Sequence, residues 1–222
     1  MTPAKLGYIK PHKNNSVEII RSFDQFVLKD LRSGDARYWM SHTPRTKLEL
    51  GQLSVEIEFG YGHCVCTGMG LGLRETYLAD KPEVTKITVV DYNQDVIDWY
   101  REEAPKSGVD IGKFEFICQD ADRLEGLSCD CLFLDHYDAA PATLATVASR
   151  AINIAKNNRY NLFWFWPALY VYADWAQHGM RGIDADTFAE WQAEVGLTGF
   201  LPGVDTAFVR RHTRKYFGVD SL

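Results

Sequence analysis

The stretch that most constrains the fold of this chain is Cys64–Leu78, CVCTGMGLGLRETYL. Its first residues are apolar or thiol side chains, as a buried strand requires, and glycines follow at alternate positions, Gly68, Gly70 and Gly72. Beyond Gly72, apolar and polar residues alternate at helical spacing. The sequence therefore predicts a strand, a glycine turn and a helix in direct succession, and such a turn lets a ligand approach the backbone closely.

The composition is that of an enzyme-sized globular chain. With 222 residues, 46% of them hydrophobic, the chain can bury a full core, and we expect one domain with an appended N-terminal element. The formal net charge of −6 argues against a protein that mainly binds nucleic acid or anionic membranes, because such binding requires clustered Lys and Arg. The N-terminus lacks the apolar segment of a signal peptide, and no stretch approaches the roughly 20 apolar residues of a membrane span. These features predict a soluble, cytoplasmic protein.

The cysteines include two C-x-C pairs, Cys64 with Cys66 and Cys129 with Cys131. Alternate residues of a strand face the same side, so each pair can present two thiols together. Structural zinc sites, however, favour C-x₂₋₄-C spacings on turns, and free cysteine behaves as a small buried hydrophobic residue. We therefore predict packed thiols and no metal site, and the odd number of cysteines indicates no disulfide framework.

The first 50 residues differ from the rest of the chain. Asn15 followed by Glu18 resembles a capping box, and apolar residues over Val17–Leu31 then follow helical spacing. This spacing predicts one amphipathic helix. The expected organisation is an N-terminal helix and cover segment over residues 1–50 and a Rossmann-like domain over residues 51–222.

From residue 63 onward, apolar strand candidates alternate with helix candidates. The predicted strands are 63–67, 86–91, 114–118, 130–135 and 161–166. The predicted helices are 71–80, 93–104, 141–157, 168–178 and 185–195. A repeating βα pattern specifies a parallel sheet covered by helices on both faces, with a ligand crevice at the carboxyl ends of the strands. The predicted fold class is α/β, a doubly wound, mostly parallel Rossmann-like sheet with an N-terminal helical extension.

The glycine turn and the next strand together indicate a ligand that contains ribose. Asp91 ends the strand KITVVD 19 residues after Gly72, and an acidic residue in that place can bind ribose hydroxyls. The NAD fingerprint G-x-G-x-x-G would require glycine where Leu73 stands, and a P-loop would require Gly-Lys-Ser/Thr after the turn. Both of these nucleotide classes are therefore disfavoured.

Four segments in order, VCTGMGLGLRETYL, ITVVDYNQDVI, FICQDAD and CLFLDHYD, resemble the cofactor motifs of class I S-adenosylmethionine-dependent transferases, in the branch that includes spermidine synthase. The resemblance covers about residues 60–138 and implies S-adenosylmethionine as the cofactor. The cofactor-binding residues that it implies are Thr67, Gly68, Met69, Gly70, Gly72, Asp91, Tyr92, Asp120, Ala121 and Asp135. It further implies that the glycines border the methionine and ribose part, that Asp91 holds the ribose hydroxyls, and that Asp120 with Ala121 contacts adenine.

The chain departs from these transferases in two respects. Cys66 stands where an acidic residue is common, two positions before the first glycine, so one usual contact to the cofactor's amino group or its water is missing or supplied by another residue. No counterpart of the N-terminal β-domain of spermidine synthases is recognisable. The resemblance is therefore to compact, spermidine-synthase-like methyltransferase domains.

The segment DHYD is predicted to lie in the same crevice, where the fourth strand ends beside the first. Asp135 and Asp138 match the D-x-x-D aspartates that bind and deprotonate an amine in aminopropyltransferases. A methyl group on a sulfonium is already activated, so its transfer requires alignment of a nucleophile, exclusion of water and, where needed, a base. The predicted catalytic residues are Asp138 and His136. In the alternative interpretation Asp138 caps the following helix and His136 faces solvent.

An aromatic run and a basic run stand farther along the chain. NLFWFWPALYVYADW places Trp166 near the crevice, where an aromatic wall can stack a substrate, although core packing accounts for most of these aromatic residues. The basic residues of VRRHTRKYFG, within 210–215, form either a solvated face or a weak clamp for an anionic substrate such as a nucleotide or RNA.

Three functions fit these features. Methyl transfer from S-adenosylmethionine to a small acceptor leads, aminopropyl transfer from the decarboxylated cofactor is second, and an inactive nucleoside-binding domain that acts in an assembly is third. The expected partner is a small-molecule acceptor, and no membrane partner is expected. Nucleic acid is disfavoured by the net charge but left open by the basic run, and a homodimer is one open oligomeric state.

Overall fold

The structure, a computed structural model, centres on a five-stranded parallel sheet. It describes residues 3–22, 25–32, 37–42, 53–136, 144–166, 168–196 and 204–210. The strands of the parallel sheet are β5 (Gly62–Thr67), β6 (Val84–Asp91), β7 (Phe114–Cys118), β8 (Cys131–Leu134) and β9 (Leu162–Phe165). Their order across the sheet is β7-β6-β5-β8-β9. The chain therefore leaves the central strand β5 in one direction and later returns to its other side, which confirms the predicted doubly wound α/β class.

Helices connect and flank these strands. The α-helices of the described part include α1 (Ser54–Phe59), α2 (Leu73–Ala79), α3 (Gln94–Glu103), α4 (Leu144–Lys156), α5 (Ala168–His178) and α6 (Ala185–Glu194). The predicted strands and helices after residue 63 are present with small differences at their ends, while α1 was not predicted. None of the helices in the described ranges has the length and apolar character needed to cross a bilayer.

The central strands are buried on both faces. Cys64, Val65 and Cys66 of β5 have no exposed surface, and neither has Cys131 of β8. Near-continuous apolar runs such as CVCT and CLFL are what strands covered by helices on both sides require. Cys129 is also buried, and all these cysteines are free thiols, as the packed-thiol interpretation predicted.

The N-terminal region is a second sheet, which corrects the predicted helical extension. Its antiparallel strands follow one another in chain order, β1 (His12–Lys13), β2 (Val17–Ser22), β3 (Gln25–Asp30) and β4 (Arg37–His42). Val17 and Ile19, both β-branched, occupy the buried face of β2, and every residue of β2 pairs with one of β3. Pairing between strands therefore outweighs the helical spacing. The β-structure of this region was therefore missed in the sequence analysis.

The predicted capping box is also absent from this region. Asn14, one residue before the predicted cap, accepts hydrogen bonds from Ser16 N–H and Val17 N–H with its side-chain oxygen, at 3.2 and 3.0 Å. This is a turn that leads into β2, since Asn side chains form such turns as readily as helix caps. The predicted boundary near residue 50 lies outside the described residues.

Tyr8 joins the N-terminal region to the glycine turn. Its buried ring packs edge-on against Tyr100, with the ring centroids 5.3 Å apart. Its hydroxyl lies 3.0 Å from the Leu71 carbonyl oxygen, 3.1 Å from the Gly72 carbonyl oxygen and 2.9 Å from Thr76 Oγ1. The N-terminal region is therefore bonded directly to the first turn of α2.

A second set of contacts reaches the end of β6. Ser16 Oγ donates to Asn93 Oδ1 at 2.9 Å, and Asn14 Nδ2 donates to the Asp95 carbonyl oxygen at 3.3 Å. Both acceptors lie just beyond Asp91, at the edge of the parallel sheet where a ligand is expected. The N-terminal sheet thus borders the carboxyl ends of β5 and β6.

We expect Tyr8→Phe to lower the free energy of unfolding by about 1–3 kcal/mol, because the buried acceptors at Leu71 and Gly72 lose a donor. Urea unfolding measures the effect. Tyr77→Phe is the matched control, since the Tyr77 side chain is also nearly buried on α2 but its hydroxyl makes no hydrogen bond within the described residues. Equal losses in the two variants would show that the Tyr8 hydroxyl contributes nothing specific.

Candidate functional site

The glycine turn connects β5 to α2 at the carboxyl edge of the parallel sheet. Gly68, Gly70 and Gly72 have φ angles of 71°, 53° and 68°, in the left-handed region that other residues adopt only at an energetic cost. A Cβ on Gly68 would overlap the carbonyl oxygen of Asp135, which follows β8. The alternating glycines are therefore required both by the path of the backbone and by the close approach of the next loop.

The amide groups of this turn are not all bonded to residues that the structure describes. Met69 N–H donates to Asp91 Oδ2 at 2.8 Å, and Leu71 N–H donates to Met40 Sδ at 3.1 Å. Gly70 N–H, between them, donates no hydrogen bond to another described residue. Because sulfur is a weak acceptor, the turn has one amide without an acceptor among the described residues and one that is weakly bonded.

Asp91 lies beside the glycine turn, at the end of β6. Its Oδ2 accepts the Met69 amide, and its Oδ1 accepts Asn93 N–H at 2.8 Å. Burial raises the pKa of Asp91, although these two hydrogen bonds oppose the rise. Each carboxylate oxygen has a second lone pair, so the side chain can accept two further hydrogen bonds without losing the first two.

Tyr92, the next residue, faces outward with 51% of its surface exposed. The Arg32 guanidinium carbon lies 4.4 Å from the centroid of its ring, a cation–π arrangement. Arg32 is held in turn by Asp30, with 3.0 Å between Nε and Oδ1. The N-terminal sheet therefore contributes a cation next to Asp91.

The predicted adenine contacts follow β7, beside Asp91. Gln119 N–H donates to the Asp91 carbonyl oxygen at 3.0 Å, which brings this segment to the same edge of the sheet. Asp120 is half exposed and accepts Asp122 N–H at 3.0 Å, so it caps a short 3₁₀ turn. Ala121 is buried. Both residues lie next to the crevice, and Asp120 also has a local structural role.

His136 is held by hydrogen bonds at both ring nitrogens. Nδ1 lies 2.7 Å from Thr67 Oγ1, and Nε2 lies 3.2 Å from Asp122 Oδ1. Asp122 also accepts from Arg150 Nη2 at 2.6 Å. Burial lowers the pKa of His136, which favours the neutral ring. Nε2 then carries the proton toward Asp122, and the Thr67 hydroxyl donates to Nδ1. His136 can accept a proton only after one of these bonds opens.

A buried ionic cluster beneath the turn was not predicted. The Arg74 guanidinium donates to the carbonyl oxygens of Thr67 and Gly68 at 3.1 and 3.2 Å. It also donates to Glu75 Oε1 at 2.7 Å and to Glu56 Oε2 at 3.3 Å, and all three charged side chains are at most 2% exposed. The one feature of the sequence that pointed to this cluster was the adjacent pair Arg74 and Glu75 within the helix LRETYLA. All residues of this helix are buried.

Acidic groups outnumber basic ones in this cluster. Burial raises the pKa of Glu56 to about 8 and that of Asp135 to about 6, while the Arg74 charge opposes both rises. Glu56 Oε1 is buried and has no hydrogen-bond partner among the described residues. Burial therefore favours the protonated form of both groups, most strongly of Glu56. The Asp135 carboxylate accepts no hydrogen bond from the described part of the chain.

Other predicted residues are placed only in part. Asp138 and the basic residues 211–215 lie outside the described residues. Arg210 donates from Nε to the Ile183 carbonyl oxygen at 3.0 Å. Trp166 follows β9 and is half-buried, whereas Trp164 is 3% exposed and belongs to the core.

Comparisons with known proteins return structural matches only. No family model and no curated protein matches the chain. One solved match is an S-adenosylmethionine-dependent methyltransferase from Clostridium acetobutylicum ATCC 824, at 15% identity over 50% of this chain and 46% of that one, with a TM-score of 0.37. A second is the N-methyltransferase NodS from Bradyrhizobium japonicum WM9, at 16% identity over 51% and 59%, with a TM-score of 0.35. A third is spermidine synthase from Thermotoga maritima, at 11% identity over 68% and 62%, with a TM-score of 0.40.

In each of these matches the chain covers less than two thirds of the other protein. Two of these three proteins are methyltransferases by name, and the third is a spermidine synthase. The spermidine-synthase-like branch is not confirmed. At these TM-scores the matches carry no conclusion about the reaction.

The pH dependence of stability tests the buried cluster. Because burial raises the pKa of Glu56 from 4.5 to about 8, the folded protein keeps a proton that the unfolded chain loses between these values. The stabilising contribution of that proton is complete below about pH 4.5 and is lost as the pH rises through about 8. We expect the free energy of unfolding to fall between about pH 6 and 8, and Glu56→Gln to flatten this fall.

Urea unfolding at successive pH values measures this slope. Glu58→Gln is the control, because Glu58 is exposed on the same helix, and it should keep the wild-type slope. A wild-type slope in Glu56→Gln would mean that Glu56 is already ionised in the folded protein at neutral pH.

Proposed function

We propose that this chain is a methyltransferase that uses S-adenosylmethionine and acts on a small acceptor. The observation that carries the proposal is the contact between the glycine turn and Asp91, in which Asp91 Oδ2 accepts the Met69 amide at 2.8 Å. The turn leaves the central strand β5 at the point where the chain reverses direction across the sheet. In doubly wound sheets ligands bind in the crevice at this switch point.

The groups available at this edge fit such a cofactor. The unused lone pairs of Asp91 can accept two ribose hydroxyls, and Gly70 N–H is a free donor for the methionyl end. The Asp135 carboxyl group has no hydrogen-bond partner in the described residues, so it can bind the cofactor's ammonium group in place of the acidic residue that is common at the position of Cys66. When bound, S-adenosylmethionine supplies a methyl group already activated for transfer.

The acceptor side is assigned to Asp138 and His136. Asp138 lies three residues beyond Asp135 and is our first candidate for the base that removes the acceptor's proton. His136 must first release Thr67 or Asp122, so its part in the proposal is to hold the loop after β8 against the end of β5.

Aminopropyl transfer from decarboxylated S-adenosylmethionine is the second candidate. It is kept because Asp135 and Asp138 match the D-x-x-D aspartates of aminopropyltransferases. It stands second because no described residue of the site selects a donor that lacks the carboxylate. Calorimetry that detects S-adenosylmethionine binding but none of the decarboxylated form would remove this candidate.

We expect Asp91→Ala to weaken binding of S-adenosylmethionine and of its demethylated product by roughly ten- to hundredfold, because two ribose hydroxyls lose a charged acceptor. Titration calorimetry measures the affinity, and thermal unfolding of the same sample shows whether the variant is folded. Asp98→Ala removes the same charge from an exposed position on α3 and should bind normally. Normal binding by folded Asp91→Ala would contradict the ribose assignment.

We expect Asp138→Asn to lower turnover by about 10²–10⁴-fold while cofactor affinity stays unchanged, because the variant keeps the shape of the side chain but loses the base. An acceptor is found first by screening small amines, acids and nucleosides for release of the demethylated cofactor. Wild-type turnover in Asp138→Asn would reduce this residue to a helix cap, since Asn caps nearly as well as Asp. Turnover of any acceptor would exclude an inactive nucleoside-binding domain.

A further inference from the structure

Met40 of the N-terminal sheet fills the space in front of the middle glycine of the turn. If Gly70 carried a Cβ, the three heavy atoms nearest to it would be Sδ, Cβ and Cγ of Met40. The same sulfur accepts the Leu71 amide at 3.1 Å. The face of the turn that a cofactor must approach is therefore covered by one flexible side chain from another sheet.

This contact is of a kind that a ligand can replace. A thioether sulfur is a weak hydrogen-bond acceptor, whereas a carboxylate is a strong one, so an anionic group at the turn would bind the Leu71 amide better than Met40 does. Methionine is also unbranched and adapts its shape at little cost. Met40 is only half-buried, which leaves it room to move.

The strand that carries Met40 is irregular at this point. Met40 of β4 pairs with Leu28 of β3, and the register of the two strands shifts between Leu28 and Lys29. Such bulges turn a side chain out of its regular direction and are frequent next to active sites. Leu28 has no exposed surface, so the strand beneath Met40 is anchored in the core while Met40 itself reaches the turn.

We propose that Met40 is a specificity residue for the donor. Its side chain occupies the methionyl end of the cofactor site and is displaced when the amino-acid tail of the cofactor takes the Leu71 amide. This inference rests on the proposed function. It implies that the amino-acid tail adds less to the affinity than its own contacts with the protein would provide, because the hydrogen bond between the Leu71 amide and Met40 Sδ must break before the tail can bind.

Two ligands that differ only in the tail region test the proposal. S-Adenosylhomocysteine carries the amino-acid tail, and 5′-methylthioadenosine has the same nucleoside and sulfur without it. We expect Met40→Ala to tighten S-adenosylhomocysteine binding by about three- to tenfold, because that is the effect of removing one weak competing hydrogen bond. The affinity for 5′-methylthioadenosine should not change. Met180→Ala is the matched control, because Met180 is 95% exposed, and it should change neither affinity.

Methionine methyl NMR gives a second readout on the wild-type protein. The Met40 signal, identified by its loss in Met40→Ala, should shift on addition of S-adenosylhomocysteine and stay in place with 5′-methylthioadenosine. An unchanged or weakened S-adenosylhomocysteine affinity in Met40→Ala, or a Met40 signal that both ligands shift alike, would overturn the proposal while leaving the cofactor site intact. If neither ligand binds the wild-type protein, the proposed function itself fails.

Discussion

The geometry of the site depends on one buried guanidinium. Arg74 binds the carbonyl oxygens of Thr67 and Gly68, the last residue of β5 and the first glycine, so it determines where the chain leaves the strand. Burying this charge would cost several kcal/mol if it were unpaired, and the Glu75 carboxylate together with the hydrogen bond to Glu56 Oε2 offsets that cost. Arg74 therefore fixes the backbone that positions the amides of the turn, including the Met69 amide that donates to Asp91.

The other walls of the site come from a part of the chain that is distant in sequence. Tyr8 binds the carbonyl oxygens at the start of α2, Arg32 covers Tyr92, and Met40 covers Gly70. The N-terminal region therefore contacts the glycine turn and the end of β6 at three separate points, and a ligand bound at the turn would lie beside it.

The parallel sheet was predictable because its signals are local. Strands such as KITVVD are long apolar runs, and the apolar residues of the helices between them recur at helical spacing. The alternation of strands and helices along the chain could therefore be predicted from the sequence, and so could the position of Asp91 beside the turn. The N-terminal sheet was mispredicted because the apolar residues of Val17–Leu31 fit a helical period, and the pairing of β2 with β3 that decides the matter is not local. The Arg74 cluster was missed because a sequence reading assigns Arg and Glu to the surface.

The charge of that cluster suits a cationic ligand. Three acids, Glu56, Glu75 and Asp135, lie near the Arg74 guanidinium, and burial raises the pKa of Glu56 and of Asp135. A cation bound there would favour the ionised forms of both remaining acids and so lower the pKa of Asp135 and of Glu56. S-Adenosylmethionine carries positive charge on its sulfonium and ammonium groups, while its demethylated product has lost the sulfonium charge. Under the proposed function the cluster would therefore favour the donor over the product electrostatically, with Asp135 in place of the acidic residue that is common at the position of Cys66.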